Sequence, residues 1–61
     1  MPWNYKNYPT SFKNLNVKAR HKAIEIANAL KKDHYENSRA IPIAIERAEK
    51  WYQDHKDSRN E

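Results

Sequence analysis

Three histidines, His21, His34 and His55, are the first side chains with chemistry to offer. None stands three or four residues from another His, and the chain has no Cys. His21 and Glu25 lie four apart, a spacing that puts two metal ligands on one helical face. Zinc needs three or four ligands with a supporting outer shell, so this pair reads as a solvated His–Glu contact and no metal site is expected. Ser11, Ser38 and Ser58 have no base beside them in sequence, whereas nucleophilic catalysis needs a nucleophile, a base and an orienting group held rigidly. Paired carboxylates would need a walled pocket, hard to build in 61 residues with nine Leu, Ile, Val and Phe. With no Gly there is no phosphate-cradling loop, dinucleotide fingerprint or nucleophile elbow. The expectation is a protein that is not an enzyme, with no cofactor and no small-molecule substrate.

The basic residues are the stronger chemical signal. Residues 1–32 hold seven Lys/Arg against one acid, net +6, while 33–61 hold five against seven, net −2. Lys18 and Lys22 are like charges four apart, and Arg20, Lys31 and Lys32 add to the same segment. Phosphates would relieve that repulsion and release counterions, and Trp3, Tyr5 or Tyr8 could stack on bases. Lys18, Arg20, Lys22, Lys31 and Lys32 are therefore candidate nucleic-acid-binding residues, although no helix-turn-helix signature is present. The competing reading is protein–protein binding or self-association. Opposite charge in the two halves suits it, and Trp51 and Tyr52 are residue types that commonly anchor interfaces. A membrane surface is not an expected partner, because the apolar face of the basic stretch is mostly Ala and has little to insert.

These side chains need elements to hold them. Residues 1–9 carry two Pro and no helical periodicity, which predicts an extended arm whose rings pack onto helices. Pro9 suits the first position of a short helix near 9–15, with Phe12 and Leu15 on one face. Asn16 is a good N-cap. The run Val17 to Asp33 has neither Pro nor Gly, and Ala19, Ala23, Ile26, Ala27 and Leu30 form an apolar stripe, widened by Ile24. His34 must turn the chain without a Gly, by the left-handed conformation. Tyr35 reads as a core plug in the connection. Asn37 or Ser38 would cap a helix near 38–54, whose apolar face is Ile41, Ala44, Ile45, Ala48, Trp51 and Tyr52. Pro42 then falls late in its first turn. Glu46 and Lys50 have the favourable order for an i, i+4 ion pair.

Aliphatics are scarce, so the two Trp and four Tyr are expected to fill the core and stability to be modest or helped by self-association. The expected core is Trp3, Tyr8, Phe12, Leu15, Ile24, Ala27, Leu30, Tyr35, Ile41, Ala44, Ile45, Ala48 and Trp51. The absence of Cys and of a signal-peptide-like start makes the cytoplasm the expected location.

Several strings resemble a known group. Met1-Pro2-Trp3, Tyr8-Pro9-x-Ser11, Lys13-Asn14-Leu15, Arg20-x-Lys22-Ala23-Ile24-x-Ile26-Ala27-Asn28-Ala29 and Arg39-Ala40-Ile41-Pro42-Ile43-Ala44 followed by Ala48 and Trp51 are similar to the small bacterial YdaT-like proteins, some of which carry a further C-terminal module. A weaker likeness runs to the ChaB family of proposed cation-transport regulators, which share an extended Pro segment and an Ala-rich second helix. The chain departs from the YdaT-like pattern at two turn positions, with His34-Tyr35 where Gly-Tyr is expected and Ser38 where Gly is frequent. The resemblance implies a bacterial, stress-related protein and assigns no catalytic residues.

The reading is therefore an all-α domain over 1–54, with an aromatic N-terminal arm, one short helix and two longer packed antiparallel helices, and a frayed tail over 55–61. Its expected function is that of a non-catalytic interaction module of unknown partner. The alternative is weak, sequence-tolerant nucleic-acid binding through the basic helix near 17–33.

Overall fold

The computed structural model describes residues 2–56. Its elements are an extended arm, a 3₁₀ turn at Thr10–Asn14, helix α1 at Val17–Lys32 and helix α2 at Asn37–Lys56, with no strand among the described residues. No helix of these residues is long and apolar enough to cross a membrane.

Pro9 stands one position before the 3₁₀ turn, its carbonyl accepting the Phe12 N–H at 3.0 Å, and the Phe12 carbonyl accepts the Leu15 N–H at 3.1 Å. This tight turn drives Phe12 and Leu15 into the core beneath both helices. Asn16 then caps α1, its Oδ1 accepting the Ala19 N–H at 2.9 Å, as its residue type predicts.

The end of α1 is a Schellman motif made without Gly. His34 takes φ 72°. Its N–H donates to the Lys31 carbonyl at 2.9 Å, while the Tyr35 N–H reaches the Leu30 carbonyl at 3.1 Å. Lys31 and Lys32 occupy the last turn, where cations favour the helix dipole. The motif corrects the expectation for Tyr35. Its backbone closes the helix end, but its ring is 37% exposed and plugs no core.

The four-residue connection at 33–36 returns α2 antiparallel to α1. Neither Asn37 nor Ser38 is the cap, because the Glu36 carbonyl already accepts the Arg39 and Ala40 N–H groups, at 2.9 and 2.8 Å. The earlier start places Pro42 in the second turn rather than the first. Pro42 has no N–H for the Ser38 carbonyl, so the helix continues with one backbone bond missing. At the other end α2 runs to Lys56, so residues 55 and 56 are helical rather than frayed. The rest of the expected tail, 57–61, lies outside the described residues.

The two helices meet along alanines. Ala19, Ala23 and Ala27 on α1 and Ala40, Ala44 and Ala48 on α2 each recur every fourth residue, and all six are buried. Rows at this spacing form the ridges and grooves of helix packing, and methyl side chains let the backbones approach closely. Phe12, Leu15, Ile24 and Leu30 complete the buried set. The expected aromatic core is thus corrected. Trp3, Tyr8, Ile41 and Ile45 are only half-buried, packed against the core from its rim, and Trp51 is half-buried near the end of α2. Ala19, Ala23 and Ala40 take their place inside, on the faces where the two helices meet, and Phe12 is the one fully buried ring among the described residues.

Candidate functional site

The arm is fastened to α1 by named contacts. Asn4 closes a small turn. Its Oδ1 accepts the N–H groups of Lys6 and Asn7, both at 2.8 Å, and its backbone exchanges bonds with Asn7 at 3.0 and 3.2 Å. Asn28 grips the preceding residue. Its Oδ1 accepts the Trp3 N–H at 3.1 Å, and its Nδ2 donates to the Trp3 carbonyl at 3.0 Å. One side chain thereby satisfies both backbone groups of Trp3, as a neighbouring strand would.

Ring contacts complete the attachment. Tyr5 stacks on His21 with centroids 3.9 Å apart and planes 6° from parallel, while remaining 63% exposed. Arg20 lies 5.6 Å from the centre of the Tyr8 ring and donates to the Leu15 carbonyl at 3.1 Å and the Lys13 carbonyl at 3.5 Å. Its Nε is buried with no hydrogen-bond partner.

Between the arm turn and the outer side of α1 runs an open groove of about 970 Å³. The arm contributes Trp3, Tyr5 and Lys6, α1 contributes Lys18, His21, Lys22 and Glu25, and α2 contributes Trp51. Lys22 Nζ sits 3.2 Å from Glu25 Oε1 and 5.2 Å from the centre of the Trp51 ring. The His55 ring also stacks on Trp51, at 4.7 Å, and its Nδ1 lies 2.9 Å from the Trp51 carbonyl oxygen. A second, smaller hollow near the start of α1 is lined by Leu15, Ala19 and Tyr52.

The five basic residues expected to act together do not share one surface. At about 100° per residue, Lys18 and Lys22 share one flank of α1, whereas Arg20 and Lys31 fall on another. Lys18 and Lys32 are about 21 Å apart along the axis. Lys18 and Lys22 line the groove, and Lys31 and Lys32 sit at the far helix end. Arg20 is committed to the backbone before α1. Trp51 and Tyr52, expected together at an interface, line different hollows. The anticipated His21–Glu25 contact is also not the one formed, since His21 goes to Tyr5 and Glu25 to Lys22. Nor do Glu46 and Lys50 pair: the ion pair among the described residues is Lys22–Glu25. Among these residues no three His, Asp or Glu side chains gather as a metal site would require. Sequence reading missed Asn28 as a site-building residue, and Lys6 and His21 as groove residues. A lone Asn on a helix carries no signal of a bond to a residue 25 positions away.

A curated protein of Bacillus subtilis (strain 168), named Uncharacterized protein YdaT, is 55% identical to this chain over 51 residues. The chain is a homologue of YdaT. The match covers 84% of the chain but 34% of YdaT, so the chain spans about a third of the length of the curated relative it matches. The resemblance read from the Arg39–Ala44 string and its companions is thus a homology. No family model matches the chain, and no solved structure matches it.

Proposed function

We propose that this chain is a non-catalytic interaction module whose working surface is the groove beside the arm. One observation carries the reading: rings from three separate stretches, Trp3 and Tyr5, His21, and Trp51, converge with Lys6, Lys18 and Lys22 around one hollow. Aromatic side chains are enriched where proteins hold a partner's side chains. The arm that forms one wall is held in place beforehand, by Asn28 at Trp3 and by His21 at Tyr5, which lowers the ordering cost of binding. A bacterial cytoplasmic setting belongs to the same proposal, supported by homology to a Bacillus protein and by a sequence free of Cys.

The test is selection of a displayed random-peptide library on the intact chain, counter-selected with a Tyr5→Ala/Lys22→Glu variant. Peptides retained by the parent chain and rejected by the variant support the module. Failure to find groove-dependent peptides removes it.

Nucleic-acid binding is the second reading, favoured by Lys18 and Lys22 standing beside the exposed Tyr5 ring. Titrating the labelled chain with a short random-sequence DNA duplex at low and then physiological salt tests it. Saturable, salt-sensitive amide shifts confined to residues 6–32 support this reading, and unchanged amides at low salt end it.

A further inference from the structure

We infer that the groove takes a short acidic peptide segment carrying one aromatic or large aliphatic anchor. This rests on the groove being the interaction surface proposed above and assigns the chemistry of its occupant.

The charge around the groove is one-sided. Lys6 and Lys18 are exposed and Lys22 is half-buried, against a single lining carboxylate, Glu25. Glu25 is already held 3.2 Å from Lys22 Nζ. Lys18 and Lys22 repel each other at i, i+4, and an incoming carboxylate relieves that repulsion. Beside the ammonium groups the lining includes half-buried Trp3 and the exposed Tyr5 ring, which offer apolar contact to an anchor. Lysines side by side with apolar ring surface match an acidic segment with one large side chain.

The same geometry disfavours a nucleic-acid strand as the occupant. A strand brings evenly spaced phosphates and bases that need free ring faces. Here Glu25 interrupts the lysines, and the Trp51 π-surface already carries Lys22 and His55. A peptide can place its acids beside the lysines and avoid Glu25, which a phosphate backbone cannot do.

The experiment uses the full chain and four probes: an Asp/Glu-rich peptide with one central Phe, its Phe→Ser counterpart, a Lys-for-acid counterpart, and oligothymidylate. Calorimetry gives affinity and amide shifts give location. The expected result is saturable binding of the acidic Phe peptide, with shifts at Tyr5, Lys18, His21, Lys22 and the Trp51 indole. Removing the Phe or reversing the peptide charge weakens it about tenfold or more. Lys18→Glu/Lys22→Glu weakens the acidic peptide similarly and improves the Lys-bearing one. Where the double variant fails to fold, Lys18→Glu alone, at an exposed position, gives the same directional readout. Tighter groove-dependent binding of the Lys-bearing or Phe-less peptide overturns the acidic-anchor assignment and leaves the module standing. Tighter binding of oligothymidylate at physiological salt overturns it in favour of nucleic acid. No groove-dependent response to any probe, together with an empty library selection, overturns both.

Discussion

Asn28 holds Trp3 by both of its backbone polar groups, accepting from its N–H at 3.1 Å and donating to its carbonyl at 3.0 Å. These residues are 25 positions apart, and their pairing is what makes an otherwise irregular arm into a wall of the groove. Asn28→Asp keeps the acceptor but sets a carboxylate oxygen against the Trp3 carbonyl. The expected cost near neutral pH is about 1–3 kcal/mol, with loss of the Tyr5–His21 stack. Protonation restores a donor, so the variant carboxyl has a folded pKa above its unfolded value. Its penalty therefore shrinks as pH falls toward the ordinary Asp range, about 4. Urea unfolding of the variant against the parent across this pH range checks it, and a penalty independent of pH would show that Asn28 does not act as the donor.

His34 sits at φ 72°, a conformation that costs a non-Gly residue about 1–2 kcal/mol. His34→Gly removes the steric part of that cost while adding unfolded-state freedom. A net gain of about 0.5–1 kcal/mol is expected, or roughly 2–8 °C in Tm at this chain length. Thermal melts by circular dichroism decide it. A lower Tm for the Gly variant would mean that the His34 side chain contributes more than its backbone costs.

Pro42 leaves the Ser38 carbonyl without its helical donor. Pro42→Ala restores that N–H at an exposed position, so a stabilisation of about 1–3 kcal/mol is expected in denaturant unfolding. An unchanged or lower midpoint would show that Pro42 stabilises the start of α2 by restricting the unfolded chain.

The two long helices were legible from the spacing of their apolar residues, and Asn16 and His34 behaved as their residue types predict. Tyr35 was misjudged because apolarity says that a ring seeks burial but not that the backbone has taken its position for a helix end. Arg20 looked like any other cation in a basic run. Its bond to the Leu15 carbonyl depends on where the 3₁₀ turn leaves that carbonyl, which no periodicity records. The groove was not legible at all, since its walls come from the arm, α1 and α2, and only the folded chain brings Trp3, Lys22 and Trp51 together.

Arg20 therefore behaves as a structural cation and Lys18 as a surface one. Arg20→Gln is expected to cost about 1–3 kcal/mol through loss of charge-assisted bonds to backbone carbonyls and of the Tyr8 contact. Lys18→Gln should change stability by no more than about 0.5 kcal/mol. Equal effects in parallel denaturant melts would sink this division of roles.

Between the helices, Ala44→Leu inserts three carbons into a seam with no space for them. A loss of about 1–3 kcal/mol or more is expected, whereas the same change at exposed Ala29 should be near neutral. Comparable tolerance at both positions would mean that the helices are not packed as tightly as the alanine rows require.

Those rows also bear on how faithfully the helices keep their alignment. A ladder of identical rungs looks much the same after sliding by one helical turn, because methyl meets methyl again about 6 Å along. The seam supplies contact but little memory of position. That memory comes from the two unlike ends: Phe12, wedged beneath one, and the short span at 33–36, which tethers the other. Lengthening this span while trimming Phe12 would leave a pair of helices with more than one nearly equivalent alignment, and a ratchet in place of a single lock.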